Sequence, residues 1–70
     1  NKLRPSILLP VPQPLNEQVT LMPYPERIVT GWWDNNKAVR DYFLGRTQQG
    51  QWLWLFRDHN LRWYVHGVFS

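Results

Sequence analysis

All six prolines of this 70-residue chain lie between Pro5 and Pro25, and ten of its eleven aromatic residues lie between Ile28 and Ser70. That division constrains the fold more than any other feature. Proline removes a backbone donor and turns the residue before it away from helix. Residues 1–27 are therefore expected to run as an extended or polyproline-II lead-in. Residues 28–70 are expected to form one small domain, with no helix longer than a turn. Within the lead-in, Pro10-Val11-Pro12-Gln13-Pro14 has the character of a ligand for a groove-type receptor. The preferred reading is a strap lying on its own domain, because Ile7, Leu8, Leu9, Val11 and Leu15 need cover. Val19 to Met22 has the composition of a short edge strand.

From Ile28 onward, β-branched and aromatic runs alternate with turn residues. Ile28 to Trp33 predicts a strand, and Gly31-Trp32-Trp33-Asp34 is the stretch around which the domain is organised. Asn35-Asn36 predicts a tight turn, since asparagine tolerates positive φ. Ala38 to Thr47 predicts the next strand, and Gln48-Gln49-Gly50 a three-residue loop with Gly50 left-handed. That loop sets Thr47 opposite Gln51, so Arg40 meets Asp58 and Asp41 meets Arg57, two opposite-charge pairs that a slip of one residue would destroy. One face then carries Asp41, Phe43, Gly45, Leu53, Leu55 and Arg57. The other carries Tyr42, Leu44, Arg46, Trp52, Trp54 and Phe56. A second turn at His59-Asn60-Leu61 adds Trp63, Val65 and Gly67 to the first face, and Tyr64, His66 and Val68 to the aromatic one. The expected fold is all-β: an antiparallel meander of about four strands, curled into an SH3-like or partly open barrel, with the proline-rich strap alongside.

The chain has no cysteine, which excludes a disulfide framework or thiolate metal site and fits a reducing cytoplasm. No stretch approaches the roughly 18 apolar residues of a membrane span, and Ile7-Leu8-Leu9 is too short and proline-broken for a signal-peptide core. An opening Asn1 is what a segment of a longer protein would show. Stability must come from packing alone and is expected to be marginal.

The acids do not group as a catalytic pair. Asp34 sits at a turn, Asp41 and Asp58 are expected beside arginines, and a carboxylate so placed stays ionised. His59 is a turn residue, and His66 has no second ligand at metal spacing. Ser6 and Ser70 lack a positioned base, and there is no glycine-rich phosphate loop. The expectation is a binding module without catalysis, metal or cofactor. The candidate binding face is Arg40, Tyr42, Arg46, Trp52, Trp54, Tyr64 and His66. Aromatic platforms beside arginine are what single-stranded nucleic acid requires, so a nucleic-acid platform is the alternative. The net charge of +3 permits only a few phosphate contacts. Buried indoles at Trp52 and Trp54 would favour protein binding, and exposed ones DNA.

Several motifs occur in a recognisable order: Glu26-Arg27-Ile28-Val29-Thr30-Gly31-Trp32-Trp33-Asp34, Val39-Arg40-Asp41-Tyr42-Phe43, Leu53-Trp54-Leu55-Phe56-Arg57-Asp58 and Trp63-Tyr64-Val65-His66-Gly67-Val68-Phe69. Ahead of them stand Arg4-Pro5, Leu8-Leu9-Pro10 and Pro12-Gln13-Pro14-Leu15. Together they resemble the C-terminal region of the ImuB family, the Y-family DNA polymerase-like subunits of the bacterial mutasome. The chain departs from that pattern at Asn35, where the family often has glycine, and at Ile7, where it often has an aromatic residue. The resemblance implies a part in damage-induced, SOS-type error-prone translesion synthesis, within a polymerase-like hub that lacks the catalytic acids. Its implied partners are a RecA-like accessory protein and a DnaE-type polymerase, besides the sliding clamp, whose binding peptide would lie upstream.

Overall fold

The computed structural model describes residues 4–30 and 38–69. They form six strands: β1 (Ile7–Pro14), β2 (Val19–Leu21), β3 (Glu26–Thr30), β4 (Ala38–Thr47), β5 (Trp52–Arg57) and β6 (Trp63–Val68). All pairings are antiparallel. The order is β1-β6-β5-β4-β2, with β3 also on β4, in one open sheet. The all-β antiparallel fold is as the sequence predicts. The count of about four strands is too low, because β1 and β2 come from the proline-rich stretch and join the sheet by backbone bonds.

The ten residues of β4 make it the spine. β5 runs along one side of it, while β2 and β3 share the other: Val19 to Leu21 pair with Thr47 to Gly45, and Glu26 to Thr30 with Tyr42 to Ala38. Between them the chain bends at Pro23-Tyr24-Pro25, with Tyr24 at φ 70°. Two prolines without N–H groups cannot continue a ladder, so one edge is split into two short strands.

The β4–β5 register is the predicted one: Thr47 N–H donates to the Gln51 carbonyl at 2.9 Å, Gly50 has φ 89°, and Asp41 lies opposite Arg57. The expected Arg40–Asp58 pair does not form. The ladder ends at Asp41–Arg57, and the Asp58 carboxylate instead accepts the N–H groups of Asn60 and Arg62 at 2.9 Å. Those donors lie two and four residues away, so the local bond closes with little loss of entropy. Asp41 makes its ion pair with Arg27 of β3, at 2.9 Å, rather than with Arg57. The predicted Asn35-Asn36 turn, and Gly31, Trp32, Trp33 and Asp34, lie outside the described residues.

The β5–β6 pairing corrects the predicted faces. Leu55 opposes Val65 but Trp54 opposes Gly67, so His66 is an extra residue in β6. This bulge swaps the two residues after it: Val68 stands opposite Leu53 and Gly67 opposite Trp54. β1 skips the same point, going from Leu8 opposite Gly67 to Gln13 opposite Val65. Along β1, only Leu9 and Pro12 are half-buried, with Leu15 next in step. That spacing of three residues is the period of polyproline II rather than of a flat strand. Ile7, Leu8 and Val11, expected to need cover, remain exposed.

The N-terminal end is fitted to the sheet. A Cβ on Gly67 would stand 2.6 Å from Pro5 Cβ and 3.0 Å from the Ile7 carbonyl oxygen, so only glycine lets Pro5 lie there. Arg4 then forks onto Glu26, the first residue of β3, at 2.7 and 2.8 Å. This ion pair links the β1 and β3 ends of the sheet, between which no ladder runs among the described residues.

Candidate functional site

The seven residues of the candidate face separate into a core and a rim. Tyr42 and His66 are each 2% exposed and Trp54 is 8% exposed. Tyr42 lies in β4 beside the Leu44–Trp54 pair, and its ring stacks on Trp54 at 4.0 Å with 22° between planes. His66 stacks on both, at 5.7 Å from Tyr42 and 5.4 Å from Trp54. The bulge brings this imidazole to Tyr42, with the phenol oxygen 2.7 Å from His66 Nδ1. Phe56 closes the cluster, which Ile28, Leu44, Tyr64 and Phe69 flank.

Burial sets the electrostatics. It holds the His66 pKa below the ordinary histidine value, and the nearby Arg40 charge pushes the same way. Burial raises the Tyr42 phenol, against an opposing pull from Arg40. At neutral pH both are uncharged, which suits a hydrogen bond inside aromatic walls. Asp41 and Asp58 are held below the usual carboxylate range, Asp41 chiefly by Arg27 and Asp58 chiefly by the Arg62 N–H.

The rim retains the remaining candidates. Arg40 lies over Phe56 with its guanidinium 4.2 Å from the ring centroid, and Tyr64 stacks on the same ring at 5.4 Å. Arg46, exposed, stands 5.8 Å from the half-buried Trp52. Arg4, which the sequence reading did not select, lies 5.7 Å from the Trp54 ring. Its neighbour Pro5 was the available signal, since it must seat on a glycine of β6. The described residues contain no group of three or more side chains able to hold a metal, and no helix long and apolar enough to cross a membrane.

Sequence reasoning also passed over the opposite face. There Trp63 meets Phe43 edge-on at 5.1 Å and Arg57 lies 5.6 Å from the Trp63 ring. An open cleft of about 610 Å³ is lined in part by Leu15, Glu17, Arg62, Trp63 and Tyr64. No family model, curated protein or solved structure matches the chain.

Proposed function

We propose that this chain is a non-catalytic protein-binding module of an error-prone translesion-synthesis complex. The observation that carries the binding reading is the burial of Trp54 together with Tyr42 and His66. Rings stacked on one another inside the sheet are unavailable as platforms for bases. Among the described residues, Ile7, Leu8 and Val11 on β1 and Arg46, Arg57 and Arg62 elsewhere are exposed. The assignment to translesion synthesis rests on the motif resemblance to ImuB-type C-terminal regions. On that reading the partners are a RecA-like accessory protein and a DnaE-type polymerase, and the setting is the bacterial cytoplasm.

On the candidate face, the single-stranded DNA reading is supported by the half-buried Trp52 beside Arg46. A net charge of +3 predicts weak, sequence-blind binding, lost between low and physiological salt. Buried apolar contact with a protein is little screened. The test is a titration of labelled single-stranded DNA and of each candidate protein at two salt concentrations. Salt-resistant binding to a protein is expected. Tight, salt-resistant DNA binding abolished by Trp52→Ala would reverse the ranking.

A further inference from the structure

β1 is seated on the domain by one row of side chains and shows the rest to water. From Leu9 to Leu15 every third residue is half-buried: Leu9, Pro12 and Leu15. A backbone with three residues per turn carries three such rows. The other two, Leu8-Val11-Pro14 and Ile7-Pro10-Gln13, are exposed along their length, Ile7 at 53%, Leu8 at 43% and Val11 at 63%. A rise of about 3.1 Å per residue spaces neighbours within a row by about 9 Å. β1 also ends the strand order, so among the described residues no strand lies on its outer side.

The backbone fits the same description. The ladder to β6 pairs Ile7 and Leu8, then Gln13 and Pro14, and skips the residues between. Within the skip, Gln13 Nε2 donates to the Val11 carbonyl at 3.1 Å in an exposed setting, so that carbonyl is reachable from outside and keeps a second lone pair. The chemistry narrows what could bind here. A further strand, from a second copy or another chain, needs donors along the edge, and Pro10, Pro12 and Pro14 have none. A nucleic acid needs cations, and residues 5–16 carry no charged side chain. An aromatic-lined groove needs neither. Its rings pack against the rows of a polyproline-II ligand, and a Tyr or Trp among them has an O–H or N–H for a ligand carbonyl.

We propose that Ile7–Pro14 is a polyproline-II ligand displayed by its own sheet, and that its partner is a protein with an uncharged, aromatic-lined groove. The Leu9-Pro12-Leu15 row stays on the domain, the two outer rows enter the groove, and the Val11 carbonyl accepts a ring N–H or O–H. Pro5 against Gly67 and Leu15 N–H on the Trp63 carbonyl hold the two ends, so the segment is ordered before it binds and the ordering cost is not met again. The proposal rests on the protein-binding reading and gives it a surface and a partner chemistry.

The test titrates the full chain, labelled with ¹⁵N, with a panel of purified SH3 and WW domains as aromatic grooves. A synthetic peptide of residues 7–14 and a thymidine oligonucleotide serve for comparison. The expected result is saturable shifts of the Leu8, Val11 and Gln13 amides with at least one groove, unchanged between low and physiological salt. The full chain should bind severalfold more tightly than the free peptide. Val11→Asp should weaken binding at least tenfold at an unchanged thermal midpoint, since Val11 is exposed, and Pro10→Ala should weaken it severalfold. Val29→Asp, an exposed valine of β3, should leave it unchanged. Several outcomes would overturn the proposal: no shift with any groove, binding of the free peptide but not of the full chain, no effect of Val11→Asp and Pro10→Ala, an equal loss in Val29→Asp, preference of the segment for the oligonucleotide, or self-association of the chain abolished by Val11→Asp. In the titration of candidate partners, a protein bound equally well by wild type, Val11→Asp and Pro10→Ala would overturn this surface but leave the binding-module reading standing. Absence of any protein partner, the grooves included, would remove both.

Discussion

Tyr42→Phe removes one buried hydroxyl, which faces His66 and Arg40, from the centre of the sheet. The substitution keeps the ring stacked on Trp54 and removes only the oxygen, which lies 2.7 Å from His66 Nδ1. Both residues are 2% exposed, so water cannot easily replace the lost partner. A buried polar atom left unsatisfied costs about 1–3 kcal/mol. For a domain of this size each kcal/mol moves the midpoint by about 4–8 °C, so a fall of roughly 5–20 °C is expected. His66→Phe in the same background removes the nitrogen that faced the hydroxyl, and the double variant should lose less than the sum of the two single ones. Thermal denaturation of all four proteins, followed by circular dichroism and tryptophan fluorescence, gives the coupling. If Tyr42→Phe melts within a degree of wild type, or the two effects simply add, the hydrogen bond does not stabilise the core and the reasoning fails.

The His66 imidazole is held neutral by burial, with its pKa below 6.5. The unfolded chain therefore binds more protons as pH falls below about 6.5, and stability must drop until the folded-state pKa is passed. Melting from pH 7.5 to pH 5 should show this fall in wild type and a shallower one in His66→Phe. Gly67→Ala should lower stability by about 1–3 kcal/mol, as overpacking does, and weaken the cross-strand amide contacts between Leu8 and Gly67 in NMR spectra. Deleting residues 1–15 removes β1, Arg4 and Pro5 together, and should lower the midpoint by more than Gly67→Ala does. An unchanged midpoint after deletion would make the segment a mere linker.

Where structure follows from neighbours in the chain, the sequence predicted it. The Gly50 loop is set by three turn residues, so β4 and β5 fall into register as expected and Asp41 stands opposite Arg57. The errors arise where distant segments meet. The bulge at His66 coincides with a skip in β1 and with Pro5 seated on Gly67. Nothing local to Trp63–Val68 signals either, and the consequence was a reversed face for Gly67 and Val68. Asp41 chose Arg27 because β3 shares the edge of β4, a placement that depends on how the whole sheet closes. In β1 the prolines hid a strand whose burial runs at period three, where alternation at period two was the signal sought. The candidate residues share one aromatic side of the sheet, but alternation cannot distinguish an aromatic face that binds from one that is the core.

The attachment of the proline-rich segment can be ranked by force. The Arg4–Glu26 fork has good geometry, yet half of the Arg4 side chain's surface is exposed, and exposed ion pairs contribute about 0.2–1 kcal/mol. The ladder to β6 is interrupted between Leu8 and Gln13, so backbone bonds hold the segment at its two ends rather than along its length. Pro5 lies where any side chain on Gly67 would collide, which makes shape rather than charge the dominant constraint at the N-terminal end. Leu15 N–H donates to the Trp63 carbonyl at 2.9 Å and secures the other end. High salt should therefore weaken the fork while leaving the segment in place, whereas one methyl group at position 67 should displace its N-terminal end. That end carries Arg4 beside Trp54, so its displacement would expose the aromatic core as well as the edge of β6.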